Sequence, residues 1–317
     1  MADSSNCRLV IHGGAGVIDR RTLSPEREAE FRAALARIAR AAWARLQAGD
    51  SALDVVESAV RDLEDFPLFN AGRGAVLNAQ GVVELDASIM DGRTRKAGAV
   101  AAARNAMHPV SLARAVMECT EHVLLVGEGA ELFAARIGAE RAPPAYFITP
   151  ERAEQQRLAA LQGKVTLDHD PMFNAPDPKD KRGTVGAVAR DAHGHLAAAT
   201  STGGMTNKHP GRVGDTPVVG AGTWAEDATC AVSATGHGEY FLLSSLAHDV
   251  HARMAYGGAA LPEACTGALA RVGELGGTGG LIAIDRYGAI SMPYNSEGMY
   301  RAWVGADGVG GVAIYSD

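Results

Sequence analysis

The chain has 317 residues, 30 basic and 37 acidic, and a net charge of −7 at neutral pH with no block of like charges, which excludes an electrostatic footprint for nucleic acid or for an anionic membrane surface. Glycine supplies 38 residues and aromatics only 5%; residues 1–183 hold 14 of the glycines and residues 184–317 hold 24. With no Gly-X-Y period and aliphatic residues throughout, collagen and low-complexity disorder are excluded, and the excess glycine is expected to serve turns and close backbone approach.

The opening MADSSNCRLVIHGG has no basic segment followed by a long apolar one, and no apolar run anywhere approaches ~18 residues, so a soluble, unexported, cytoplasmic protein is expected. Residues 9–11 read as a short strand ending in the glycine-rich turn HGGAG, 12–16. A long helix is predicted from Pro25, with Phe31, Leu35, Ile38, Ala42 and Leu46 on one face and a stop at Gly49. Asp50 or Ser51 can cap a second helix that ends before Phe66 and Pro67. Residues 82–90 and 98–103 read as strands joined by an Asp91-Gly92 turn, and helices are predicted from His108-Pro109 to about Cys119 and over 129–137. Six of the 13 prolines then fall within residues 143–178, so 139–183 reads as a linker with one short helix near 150–162.

Beyond it, a strand, a turn at 191–194 and a second strand begin at Thr184. Strands over 217–219 and 230–234, helices over 239–256 and 261–272, a hairpin of 281–285 with 289–292, and an apolar segment at 312–315 complete the pattern. This mixed order predicts an α+β, layered arrangement with antiparallel pairs. The four cysteines, Cys7, Cys119, Cys230 and Cys265, lie far apart without a CxxC pair and read as reduced thiols.

Several motifs resolve into ordinary structure. Residues 220–225, GAGTWA, fit GxGxxA with Glu239 near the ribose-acid distance, but the following EDATCAVSATG reads as a turn and strand where a dinucleotide site needs a helix; close backbone packing is the better reading. His193 with His195, and His248 with His251, lack a third ligand, and His237-Gly-Glu239 lacks the PCxxC of a zinc deaminase.

The Gly183-Thr184 junction is different. A charged, proline-rich stretch runs directly into an apolar strand whose first residue carries a hydroxyl. A threonine hydroxyl needs an adjacent base, and the α-amine of the same residue supplies one if the chain is cut before it. Taken alone, the junction fits an ordinary strand threonine better. Three features shift that balance: Ser201 and Thr202 end the partner strand; Arg212 and Asp215, on a glycine-flanked loop, suit an α-carboxylate and an α-ammonium group if they do not simply pair with each other; and TGHGE, 235–239, can aim a hydroxyl and backbone N–H groups at an oxyanion if it is not merely a helix cap.

These segments, with HGGAG (12–16), PLFNAGRGAVL (67–77), ELDASIMDG (84–92), KAGAVA (96–101), RGTVGAVA (182–189), TSTGGMTNKHPGRVGDTPVVGAGTWA (200–225), GGLIAIDR (279–286) and NSEGMYRAW (295–303), closely resemble the plant-type L-asparaginases and isoaspartyl peptidases, which are N-terminal nucleophile hydrolases. The resemblance implies an αββα sandwich and self-cleavage between Gly183 and Thr184. The products would be an α subunit of residues 1–183 and a β subunit of residues 184–317, assembled as a dimer of αβ heterodimers. It implies L-asparagine and β-aspartyl dipeptides as substrates, with no catalytic cofactor. Thr184 would be the nucleophile, Thr202 its supporting hydroxyl, Arg212 and Asp215 the clamp, Thr235 and the Gly236 N–H the oxyanion hole, and Gly238 and Asn70 the lining. A structural sodium ion would be wrapped by the backbone carbonyls of Leu63, Glu64, Phe66, Phe69, Ala71 and Arg73. The rivals are glycosylasparaginase, which the unexported reading disfavours, and an unprocessed homologue that only binds.

Overall fold

The computed structural model describes residues 7–163 except 17, 19 and 22, residue 165, and residues 183–316 except 307. The first strand, β1 (Arg8–Gly16), runs on through HGGAG, where the sequence suggested a turn. A register shift between His12 and Gly14 absorbs the extra residue, with Gly14 at φ 110°. A β-carbon on Gly13 would stand 2.2 Å from the Phe69 ring, so this glycine serves close packing inside a strand.

Helix α1 (Pro25–Ala48) is capped by the Ser24 hydroxyl, which accepts from Arg27 N, and is closed by Gly49 at φ 99°. It buries the predicted face, on which Phe31 stacks against Tyr300 with ring centroids 4.4 Å apart; truncating Phe31 to Ala is expected to cost about 3–5 kcal/mol. Helix α2 (Ala52–Asp65) starts from a Ser51 cap. The hairpin of β2 (Leu85–Asp91) and β3 (Ala97–Ala103) precedes α3 (Pro109–Cys119), the short strand β4 (Leu124–Val126) and α4 (Gly127–Ile137).

The short helix expected near 150–162 is present, and the linker reading needs correction only in that a second helix precedes it and both dock on the body of the protein. Residues 143–161 fold into α5 (Pro144–Phe147) and α6 (Pro150–Leu161), with Phe147 and Arg152 buried. Gly74 explains the docking: its N–H donates to the Phe147 carbonyl at 2.9 Å and its carbonyl accepts from Arg152 Nε at 2.6 Å. The rest of the linker, over 166–182, and the first six residues of the opening segment lie outside the described residues.

Strands β5 (Val185–Arg190) and β6 (Leu196–Thr202) form the hairpin expected after Thr184. The next strand is β7 (Thr223–Ala225), not 217–219: Val218 N and Gly222 N both donate to Asp215 O, which winds 215–222 into turns. After β8 (Cys230–Gly236) the helix expected over 239–256 is two, α7 (Gly238–Ser244) and α8 (Leu246–Ala255), broken at Ser245 with φ 48°. The break lets Ala247 N and His248 N donate to Ala221 O and Gly220 O, so the GAG loop accepts from the first turn of α8, as the close-packing reading required. Helix α9 (Leu261–Glu274) and strands β9 (Gly279–Asp285), β10 (Ile290–Ser291), β11 (Gly298–Val304) and β12 (Gly310–Ala313) complete the chain.

An eight-stranded sheet, in the order β12-β11-β1-β5-β6-β2-β3-β4, faces a four-stranded sheet, β10-β9-β8-β7. Helices α1, α2 and α3 cover the outer face of the large sheet, and α8 and α9 cover that of the small one. Val10, Val188, Ala198, Ala231, Ile282 and Ile284 fill the space between the sheets. The layered α+β reading therefore holds, and its layers run α, β, β, α. Thr184 sits immediately before the central strand β5, and β6 places Thr202 beside it while β2 sets Asp86 opposite Thr202.

Candidate active site

Thr184 is 8% exposed, and its hydroxyl donates to Thr202 Oγ1 at 3.0 Å. Thr202 Oγ1 also accepts from Gly204 N at 3.0 Å, so two donors fix the supporting hydroxyl. Thr184 and Thr202 face one cavity, lined also by Ala15, Gly16, Asn70, Gly183, Gly204, Met205, Arg212, Gly214, Asp215, Gly236, His237, Gly238 and Thr278. Thr235, one residue before this lining, is buried; its Oγ1 accepts from Ala15 N at 3.3 Å, and its own proton remains to donate. Gly236 lies at φ 152°, and a β-carbon there would be 2.4 Å from Thr278 O, so no other residue fits this turn into the cavity.

Asn70 is committed to the scaffold. Its Nδ2 donates to Gly204 O at 2.8 Å and its Oδ1 accepts from Val76 N at 2.9 Å, tying two lining loops together.

Arg212 and Asp215 do not pair with each other, which removes the internal salt bridge as the reading of this loop. Arg212 instead donates Nε to Glu239 Oε1 at 2.9 Å and Nη2 to Glu239 Oε2 at 2.7 Å, a two-pronged contact. That leaves Nη1, which is the atom nearest to where a β-carbon on Gly214 would fall, at 2.9 Å, and lies 3.4 Å from where one on Gly204 would fall. Asp215 is 4% exposed, and its Oδ2 has no hydrogen-bond partner. Burial pushes its carboxyl up to about 7, against the pull of the Arg212 charge. A β-carbon on Gly238 would fall 2.7 Å from Asp215 Oδ1 and 3.1 Å from Arg212 Nη2, so glycine there keeps both charged groups accessible. At the rim, the His237 ring meets the Tyr240 ring edge-on, with its Nε2 3.6 Å from Glu239 Oε2; burial lowers its pKa.

Sequence reasoning weighed Glu239 as a ribose or zinc-site acid and missed its contact with Arg212. The available signal was its place at the end of TGHGE. It also missed Glu84, whose Oε2 accepts from Gly211 N at 3.0 Å and whose carbonyl accepts from the buried Lys208 Nζ at 2.9 Å, anchoring the Arg212 loop from behind.

The segment holding Leu63, Glu64, Phe66, Phe69, Ala71 and Arg73 curls on itself beyond α2. Arg73 N donates to Glu64 O at 2.8 Å, Phe66 N to Leu63 O at 3.3 Å and Phe69 N to Phe66 O at 3.1 Å. β-Carbons on Gly72 and Gly74 would fall 2.7 Å from Glu64 O, 2.2 Å from Pro67 O and 3.0 Å from Phe69 O. The loop thus packs carbonyl oxygens closely, and the Arg73 guanidinium lies over the Tyr146 ring, 5.7 Å from its centre. Among the described residues no group of His, Cys, Asp and Glu side chains could hold a metal ion; His195 pairs with Asp227 and His251 with Thr229.

Comparison with known proteins agrees with this geometry. The chain is 54% identical over 311 residues to an isoaspartyl peptidase of Salmonella typhimurium, with 98% of both chains covered. It is 52% identical to an isoaspartyl peptidase of Escherichia coli, covering 98% of this chain and 96% of that one. Against a probable isoaspartyl peptidase/L-asparaginase of Arabidopsis thaliana it is 40% identical over 97% of this chain and 98% of that one. Residues 5–314 match the asparaginase family, and the chain belongs to it.

Proposed function

We propose that this protein is a self-processing threonine hydrolase that releases L-aspartate from L-asparagine and from β-aspartyl dipeptides. The observation that carries the reading is the Thr184 hydroxyl, held by Thr202 at 3.0 Å on a cavity that also presents Arg212 and Asp215. Cutting the Gly183–Thr184 bond frees the Thr184 α-amine, which takes the hydroxyl proton as Oγ attacks the side-chain carbonyl of the substrate. The Thr235 hydroxyl and the Gly236 N–H donate to the oxyanion as it forms. The amine then returns its proton to the leaving nitrogen, the C–N bond breaks, and a β-aspartyl ester remains on Thr184 Oγ. Water, deprotonated by the same amine, hydrolyses that ester. Arg212 Nη1 takes the α-carboxylate and Asp215 the α-ammonium, so only the aspartyl end is read and the leaving group can be ammonia or an amino acid.

The reading includes a dimer of αβ heterodimers, of residues 1–183 and 184–317, and a cytoplasmic setting. The latter is supported by four cysteines without a disulfide, three of them buried. It also includes a sodium ion held by the carbonyls of Leu63, Glu64, Phe66, Phe69, Ala71 and Arg73. The crowding of carbonyl oxygens at Gly72 and Gly74 suits a hard cation, which would stiffen the loop carrying Asn70 without touching the substrate. Exchanging sodium for a bulky organic cation is expected to lower the melting temperature; an unchanged value would remove the ion from the account.

Steady-state kinetics on L-asparagine, β-aspartyl-leucine and a glycosylated asparagine test the substrate reading. Release of L-aspartate from the first two is expected, and hydrolysis of the third alone would overturn it in favour of a glycosylasparaginase.

A further inference from the structure

Beneath the cavity wall lies a second cation. Lys208, on the loop between Gly204 and Arg212, is fully buried, and its Nζ donates to Glu84 O at 2.9 Å. Its main chain is held on both sides, Lys208 N donating to Met205 O at 3.2 Å and Lys208 O accepting from Ala79 N at 2.9 Å. Gly204, which lines the cavity, shows where the side chain runs. A β-carbon on Gly204 would fall 2.9 Å from Lys208 Nζ, 3.0 Å from Lys208 Cδ and 3.4 Å from Arg212 Nη1. The ammonium and the unused prong of Arg212 thus converge on one point of the wall, their nitrogens at most about 6 Å apart, close enough for one anion to feel both. That point is fixed relative to the nucleophile, because Gly204 N donates to Thr202 Oγ1 and Gly204 O accepts from Asn70 Nδ2.

Among the described residues Glu84 O is the one hydrogen-bond partner of Lys208 Nζ. Satisfying a single carbonyl needs only a neutral donor, whereas a buried ammonium is costly to keep. The balancing charge is Asp86, also fully buried. It stands opposite Thr202 across the β2–β6 pair, and so on the same face, with Oδ1 accepting from Ala102 N at 2.8 Å and Oδ2 without a hydrogen-bond partner. The backbone bends to make that contact: the β2–β3 register shifts at this point, and Ala102 takes φ 52°. Burial pushes the Asp86 carboxyl up and the Lys208 ammonium down, and each is the chief charge drawing the other back. Neither makes an ion pair at contact distance among the described residues, so the ammonium is balanced without being quenched at close range. The site thus stores a buried cation on the Arg212 side, as it stores the buried Asp215 anion on the other.

We infer that Lys208 is a positioning residue for the substrate: its buried charge, under Gly204 beside Arg212 Nη1, draws an α-carboxylate onto Arg212 and makes the site select amides that carry one. This rests on the reading of Arg212 as the α-carboxylate site, and the experiment separates the two. It compares kcat/KM for L-asparagine with that for 3-aminopropanamide, the same amide without the α-carboxylate. In Lys208→Met the preference for L-asparagine is expected to fall about tenfold, through its KM, while 3-aminopropanamide changes by less than about twofold. Lys208→Gln, which keeps a donor for Glu84 O but no charge, is expected to behave like Lys208→Met. An unchanged preference in Lys208→Met, an equal loss on both substrates, or a wild-type preference in Lys208→Gln overturns the inference in favour of a strut. Should neither variant fold, Arg212→Met leaves Lys208 in place: a residual preference for L-asparagine of about threefold to tenfold is expected, and none overturns the inference. A wild-type protein that hydrolyses L-asparagine without any preference over 3-aminopropanamide fails the Arg212 reading itself, and one that hydrolyses neither fails the proposed function.

Discussion

Asp215→Asn tests the electrostatics of the site through stability alone. The Asp215 carboxyl is 4% exposed, has one oxygen without a partner, and titrates at about 7 against an ordinary 3.8. Its folded-state pKa is raised, so between those values the folded protein holds a proton that the unfolded chain has lost, and stability falls as pH rises through that window. The rise corresponds to about 4 kcal/mol against the native state once the group is ionised in both states, and to about 2 kcal/mol at pH 5, where the window is only partly crossed. Asparagine removes the titration. The stability advantage of Asp215→Asn over wild type is therefore expected to grow from about 2 kcal/mol at pH 5 to about 4 kcal/mol at pH 8, read from urea midpoints at each pH. The variant is expected to bind substrate poorly, because the ammonium-binding charge is gone. An advantage that stays constant across this range, or a variant less stable at pH 8, would refute the reasoning. The wild-type site on this account carries a destabilising anion that a substrate ammonium group relieves, a common trade of stability for function.

The same carboxyl, together with the Thr184 amine, is expected to give kcat/KM an acid limb near pH 7, recorded in a rate profile on L-asparagine; a flat profile down to pH 5 would exclude Asp215 as the ammonium site. Glu239→Gln weakens the two-pronged contact that leaves Arg212 Nη1 free; because Glu239 is about half exposed, KM is expected to rise only about threefold to tenfold with kcat held, and an unchanged KM would make the contact incidental. Gly14→Ala places a β-carbon 2.5 Å from Gly183 Cα at a φ of 110°, so the uncut chain should accumulate on denaturing gels; normal processing would show that this crowding does not guide cleavage.

Much of this architecture is legible in the sequence where signals are local. Ser24, Pro25 and Gly49 bracket α1 by capping chemistry, and Asp91-Gly92 begins the β2–β3 turn. Where tertiary contact decides, the sequence is silent. HGGAG is a strand because β5 and β11 flank it and Phe69 leaves no room for a side chain at Gly13. The break at Ser245 depends on carbonyls of Gly220 and Ala221 more than 20 residues earlier. Helix α5 and the docking of the expected α6 hide in a proline-rich stretch because their partner, Gly74, lies far back in the chain. For the site, motif spacing located the Thr184, Thr202, Arg212 and Asp215 positions, which the fold gathers on one cavity. The partners behind them, Glu239 and Glu84, are long-range contacts that no spacing encodes.

The central claim is that the chain cuts itself before Thr184 and then uses that residue as the nucleophile. Intact mass of the purified protein, taken alone and after rapid quenching during turnover of L-asparagine, tests both parts. The account predicts two chains, residues 1–183 and 184–317, the second gaining the mass of one aspartyl group on Thr184 in the quenched sample, and a single 317-residue chain without activity for Thr184→Ala. A wild-type protein that turns over substrate as one uncut chain, or an aspartyl adduct on any other residue, would contradict it.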